Sequence, residues 1–329
     1  MSAPTLDVVG IGNAIVDILA HADDEFLTRL DIAKGSMNLI DAARIDAIYE
    51  QMGPAVECSG GSAANTIAGV AALGGAAGYV GKVAADEFGK LFGHDIRAMG
   101  VSFDSPALEG GAPTARSMVL VTPDAQRTMN TYLGACVELG PEDVDEELIA
   151  SAAITYLEGY LWDPPAAKEA FRRALGIAHE HGRKVSLTLS DSFCVERYRT
   201  EFLELIEHHV DVLFANEAEI TSLYEVENFD DALQRIRGHC EIAALTRSEK
   251  GAVIVSGDEI HVIDAALGGS VVDTTGAGDL FAAGFLYGLT HDLGLARSGR
   301  LGALCAAEVI SHLGARPEDD LAAFVGQSA

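Results

Sequence analysis

The residues best suited to chemistry stand in one short run, Asp273-Thr274-Thr275-Gly276-Ala277-Gly278-Asp279, which passes directly into the apolar stretch LFAAGFLYGL. Small residues let a backbone approach a ligand closely, and a helix starting here aims its unpaired amides and positive dipole end at an anion. Asp279 would then lie in the first helical turn, beside a phosphoryl group, where a carboxylate can take the proton from an attacking hydroxyl. The same string also reads as a plain helix start, with Thr275 or Asp273 as cap and the glycines as a tight loop, so its company decides.

That company includes a second glycine-led run, SGGSAANTIAGVAALGG at 59–75. It reads as a turn before an alanine-rich helix that packs closely, and Asn65 within it needs a polar partner if buried. GIGNAIVDI at 10–18 begins like a dinucleotide fingerprint, but Ile15 stands where the third glycine is required. Asn216-Glu217-Ala218-Glu219 has Asn at a cap and Glu three residues later, a capping box that by itself needs no ligand. The ten histidines form no HxxxH or HExxH arrangement, and the five cysteines lie far apart without a CxxC pair, so free thiols are expected. A P-loop is absent, since Gly81-Lys82 and Gly89-Lys90 are followed by Val83 and Leu91, and protein-kinase HRD and DFG elements are missing too.

Stepping outward, the elements that must position these residues alternate between apolar runs of strand length and longer helical patterns. The runs are 6–12, 76–83, 152–159, 184–190, 210–216, 242–248 and 251–257. This alternation predicts an α/β fold with a doubly wound, mostly parallel, Rossmann-like sheet, whose ligands bind beyond the carboxyl ends of the strands. Asn13, Asp17, Glu158, Asp191, Asn216 and Thr246 follow those ends. Residues 13–40 and 113–136 fit the alternation poorly. The second contains SMVLV, a Pro123-Asp124 turn signal and RTMNTYL, a β-hairpin pattern, so a small β-sheet lid is expected from these two stretches. With no repeat or linker, residues 1–329 read as one catalytic unit.

Composition narrows the partners. The 22 Lys and Arg against 50 Asp and Glu give a formal charge of −28, which disfavours nucleic acid and anionic membrane surfaces. A small anion such as ATP can bind only where amide dipoles, a few basic side chains or a cation offset that field, which points to Mg²⁺. The N-terminus lacks a basic n-region and reads as a first strand, and no segment carries the roughly 18 uninterrupted apolar residues of a span, so a soluble, cytoplasmic protein is expected.

Together the motifs carry a resemblance. DTTGAGDLFAAG resembles the C-terminal signature of the PfkB (ribokinase-like) carbohydrate kinases, and SGGSAANTIAGVAALGG the N-terminal one. GKVAADEFG (81–89), NEAE (216–219) and TRSEKG (246–251) fall between them in the family's order. The resemblance spans nearly the whole chain and implies phosphoryl transfer from ATP to a primary alcohol. It assigns Asp279 as catalytic base and Gly276, Ala277 and Gly278 as anion hole. It also places Gly60, Gly61, Ser62 and Asn65 along the acceptor site, Asn13 and Asp17 on the sugar hydroxyls, Asn216 and Glu219 near Mg²⁺ and its waters, and Thr246 to Gly251 on the nucleotide. Ser248 departs from the family's usual glycine in that turn. Arg127, in the lid hairpin, is a candidate cation for the phosphates, with a solvated surface arginine as the bland alternative.

GIGNAIVDI, GGSAANT and RTMNTYLGA resemble the adenosine kinase branch, so a nucleoside acceptor, adenosine first, is expected, with Ile15, Met118, Met129, Tyr132 and Tyr160 as candidates for a base slot. Glu158 at a strand end keeps open a sugar kinase acting on ribose, fructose or 2-keto-3-deoxygluconate. A non-catalytic nucleoside- or sugar-binding regulator is the alternative from another class. Activation by a monovalent cation such as K⁺ and a homodimer formed through the lid's exposed edge are left open.

Overall fold

The computed structural model describes residues 3–124, 126–266 and 270–328. In chain order the strands are β1 (Leu6–Ile11), β2 (Ile15–His21), β3 (Met37–Leu39), β4 (Val56–Gly60), β5 (Ala77–Val80), β6 (Val101–Ser102) and β7 (Ala115–Val121). They continue with β8 (Arg127–Tyr132), β9 (Ala152–Glu158), β10 (Lys184–Thr188), β11 (Val212–Asn216), β12 (Ile242–Thr246), β13 (Ala252–Ser256) and β14 (Glu259–Ile263).

Nine of them form one sheet in the order β14-β13-β12-β11-β10-β9-β1-β5-β6. The six pairings from β12 to β6 are parallel, whereas β13 and β14 close the far edge antiparallel. A parallel sheet covered by helices on both faces needs apolar residues on both sides of each strand. Alternation supplies this: Val8, Tyr156, Phe214 and Ala244 enter one core, and Val9, Leu157, Leu213 and Leu245 the other. All seven sequence-read runs are strands of this sheet. The strand order reverses between β9 and β1, which opens a crevice at their carboxyl ends.

The second sheet runs β3-β8-β7-β2-β4. It includes β4, which lies outside the two stretches read for the lid; VECSG lacks an apolar alternation because it is an edge strand with two exposed residues. Residue 125, near the tip of the expected hairpin, lies outside the described residues. Register puts Leu39, Thr131, Ser117, Asp17 and Cys58 in one row across the sheet and therefore on one face. The neighbouring row turns the other way, where Ile18 and Met118 are buried with Ile45 and Ile48. Met118 is thus core, a correction to its reading as part of a base slot.

Three helices bring the two signatures together. A Cβ added to Gly69 would lie 2.6 Å from the Ala283 Cβ, and one on Gly284 would lie 2.7 Å from the Gly302 backbone nitrogen. Small residues therefore let the Ala277–Thr290 helix press against both the Ser62–Ala72 and the Leu295–Val309 helices.

Candidate active site

The Ala277–Thr290 helix begins at Gly276, whose φ of 78° suits glycine, and no side chain caps it. Its first-turn amides have no partner within the helix. A Cβ on Gly278 would meet no atom of the described residues within 4 Å, so the helix start is open beside Gly278. Asp273 does not cap the helix. Its buried carboxylate accepts from Thr275 N (2.9 Å), Thr275 Oγ1 (2.6 Å) and Gly314 N (2.9 Å), which folds the loop and ties it to the C-terminal segment.

Asp279 lies one turn in. Ser62 Oγ donates to its Oδ1 at 2.7 Å and Asn65 Nδ2 to its Oδ2 at 2.9 Å, so residues more than 200 positions away aim the carboxylate. The carboxyl pKa is raised by burial, against which the Asn65 and Ser62 hydrogen bonds and the Arg127 and Arg316 charges act. Arg127, at the start of β8, is therefore close enough to act on Asp279 electrostatically.

Asp17 faces the same space from the second sheet. Burial pushes its carboxyl up to about 7, with Arg316 lowering it and the Asp279 and Asp273 charges raising it further. Gly60 is required beside it, since a Cβ there would lie 2.1 Å from Asp17 Oδ2. Gly61, at φ 97°, passes so near Asn13 that a Cβ would sit 2.1 Å from the Asn13 carbonyl oxygen.

Asn13 and Glu158 occupy the crevice between β1 and β9. Glu158 is 1% exposed and accepts from Asn13 Nδ2 (2.7 Å) and Ala63 N (2.8 Å). Both of its oxygens are engaged in holding the start of the Ser62–Ala72 helix to the end of β1. The sequence offered Glu158 for an extra sugar hydroxyl; in the structure its bonds go to Asn13 and to the Ala63 amide.

On the other side, Asn216 and Glu219 form the capping box. Asn216 Nδ2 donates to Glu219 Oε1 (2.5 Å), Asn216 N to Oε2 (2.9 Å), and Glu219 N to Asn216 Oδ1 (2.8 Å). Burial pushes the Glu219 carboxyl up to about 7. Thr246 ends β12 opposite Asn216. In the turn that follows, Arg247 is held by Glu217 at 3.0 and 3.1 Å. Ser248 takes a φ of 52°, the left-handed conformation for which glycine is suited, so the turn keeps its path despite the substitution. Gly251, at φ 82°, leaves no room for a Cβ, which would be 2.0 Å from Ile263 O.

Tyr160 follows β9 and bonds through its backbone N to Ser190 Oγ at 3.2 Å; Asp191, Cys194 and Glu219 act on its ring hydroxyl. Nearby in the chain after β10, Phe193 is 58% exposed. Sequence reasoning passed over Phe193, Ser117, Thr131 and Arg316. For the first three, no signal distinguishes them from ordinary helix or strand residues. Arg316 stands out only as a cation in the short LGARPE segment of an acidic chain.

Residues 35–321 match the pfkB family carbohydrate kinases, and the chain belongs to that family. It is a kinase, and nucleosides and sugars are the acceptors its relatives represent. A solved adenosine kinase from Sinorhizobium meliloti is 57% identical with a TM-score of 0.93, covering 98% of this chain and 99% of that one. A probable sugar kinase from Rhizobium etli is 55% identical with a TM-score of 0.94, covering 99% of each. The ATP-dependent ribose-1-phosphate kinase of Halopiger xanaduensis is 28% identical over 90% of this chain and 98% of its own length. No helix among the described residues is long and apolar enough to cross a membrane.

Proposed function

We propose that the chain transfers the γ-phosphoryl group of ATP to the 5′-hydroxyl of a nucleoside, adenosine first. The observation that carries this is the convergence on Asp279: a carboxylate in the first turn of an uncapped helix, oriented by Ser62 and Asn65, with Asp17 facing it from the second sheet. Asp17 accepts hydrogen bonds from the ribose diol, with Asn13 alongside. The second sheet acts as the lid and excludes water, which protects ATP from hydrolysis. The 5′-oxygen attacks the γ-phosphorus, its proton passes to Asp279, the bond to the β-phosphate oxygen breaks, and ADP leaves. The amides at 276–278 and Arg127 stabilise charge on the group in transit, and Thr246 to Gly251 hold the nucleotide.

Both Glu219 oxygens are already engaged by Asn216, so these two residues suit a metal held through water rather than directly. Mg²⁺, when bound, neutralises phosphate charge.

Two features support a nucleoside. Asp17, Glu158 and Asp279 crowd the acceptor side with carboxylates, which disfavours an already phosphorylated acceptor. Apolar and aromatic surface lies at hand: Ile15 and Met129 share the Asp17 face of the second sheet, and Tyr160 and Phe193 follow β9 and β10. An open groove of about 300 Å³ is lined by Leu39, Ile40, Tyr132, Leu133 and Val137. A sugar kinase is the second reading, favoured by the Rhizobium relative.

The test is coupled ADP release with Mg·ATP against adenosine, other nucleosides, ribose, fructose, 2-keto-3-deoxygluconate and ribose 1-phosphate. Turnover on adenosine is expected. Turnover only on a free sugar would move the acceptor, and silence across the panel with binding intact would make the chain a regulator.

A further inference from the structure

Arg316 lies in the C-terminal segment, far from every motif, yet it reaches the turn that opens the acceptor helix. Its Nε donates to Ser59 O at 2.9 Å, Nη2 to Ser59 Oγ at 2.8 Å and Nη1 to Ala64 O at 2.9 Å. Ser59 in turn donates from N (2.7 Å) and Oγ (2.6 Å) to Asp95 Oδ2. Two residues before Arg316, Gly314 N is bonded to Asp273, and Ala315 packs where a Cβ on Gly276 would be, at 2.6 Å. The stretch Gly314–Ala315–Arg316 thus touches the anion-hole loop with one end and the acceptor turn with the other.

We propose that Arg316 is a positioning residue of this kinase, locking the turn at 59–64 to the anion-hole loop and placing a guanidinium beside the acceptor-site carboxylates Asp17 and Asp279. The proposal rests on the acceptor-site reading above. Burial weighs against the charged guanidinium, and Cys58 on β4, Asp95 on the Glu87–Ala98 helix, Asp17 on β2 and Asp279 on the Ala277–Thr290 helix favour it, while Arg127 on β8 also acts on Asp279 and Asp273 in the anion-hole loop on Asp17. A guanidinium is suited to the place because its planar fork satisfies three acceptors at fixed angles while it neutralises charge, whereas an ammonium supplies the charge without the fork. Geometry and charge are therefore separable by substitution.

Arg316→Gln removes both and Arg316→Lys removes only the fork. Both are expected to lower kcat/KM for the acceptor, by on the order of 100-fold for a misplaced reacting group, with the KM for ATP nearly unchanged. The acidic limb of the kcat/KM profile should move to higher pH in Arg316→Gln, because a cation that favours the two carboxylates is gone, and should stay in place in Arg316→Lys. Hydrogen exchange at 59–65 should speed up in both. If Arg316→Gln does not fold, Ser59→Ala, which loses only the Oγ contacts, should show a smaller change of the same kind.

An unmoved acidic limb in Arg316→Gln, or equal losses for acceptor and ATP, would overturn the proposal, as would unchanged exchange at 59–65. Wild-type turnover on a sugar instead of a nucleoside would sink only the acceptor reading, and the variants are then compared on that sugar. If wild type turns over no acceptor, the exchange at 59–65 alone decides.

Discussion

The two halves of the site are held in different ways. On the acceptor side, Asp279, Glu158 and Arg316 bond to partners between 95 and 257 residues away, Asp17 feels charges from still more distant parts of the chain, and the carboxylates are shifted upward by burial. On the phosphate side, most partners are close in the chain, Asn216 with Glu219 and Asp273 with Thr275, with Gly314 as the distant partner of Asp273, around a helix start that offers backbone amides. The difference teaches where tuning resides. Backbone amides keep their protons at any working pH, so apart from Glu219 the phosphate half changes little with pH, whereas the acceptor half depends on carboxylates whose charge the whole fold controls.

The sharpest way to break this contrast is Asp279→Asn. Turnover should fall at least ~100-fold, the low end for loss of a general base, while calorimetry should still detect binding of ATP and acceptor. Wild-type-like turnover would remove Asp279 from the chemistry.

Next in size is a paired comparison by thermal or urea unfolding. Glu158→Ala strands Asn13 Nδ2 and Ala63 N in the interior, at about 1–3 kcal/mol for each unsatisfied donor, and should also raise the acceptor KM. Asn216→Ala removes a local cap, worth about 1 kcal/mol, with no effect on the acceptor KM. Equal costs and equal kinetic effects would erase the distinction between the halves.

The smallest effect is in pH. Asp17, Glu158 and Glu219 have carboxyls raised to about 7 by burial, above their unfolded values. Their stabilising contribution is present in full below the unfolded pKa and is lost as pH rises through about 7, so the chain should melt lower at pH 8 than at pH 6. Activity runs the other way, because Asp17 and Asp279 must be ionised to accept hydrogen bonds and a proton. A melting temperature that climbs from pH 6 to pH 8 would contradict the burial of these groups.

Much of the fold was legible because a parallel strand buried on both faces must be an apolar run, and seven such runs appear in the chain. Strands without that constraint escaped: β4, with Val56 and Glu57 exposed, and β14, whose Ile260 and Val262 face outward at the sheet's edge. Met118 looked like a ligand contact by residue type, but one step of register turns it into the core.

The sequence by itself determined the class of chemistry through two signatures in order: a glycine-rich helix start followed by Asp279 needs only local geometry to set amides and a carboxylate at one point, and the run at 59–75 decides against a plain helix start. Only the tertiary structure decided the charge balance around that carboxylate. Ser62 and Asn65 lie on one helix, Asp17 on β2 and Arg316 in the C-terminal segment, and their effect depends on distances of a few ångströms that no local pattern encodes. The same holds for Glu158, which type and strand-end position offered as a ligand group and which packing converts into a buried brace between β1 and the acceptor helix.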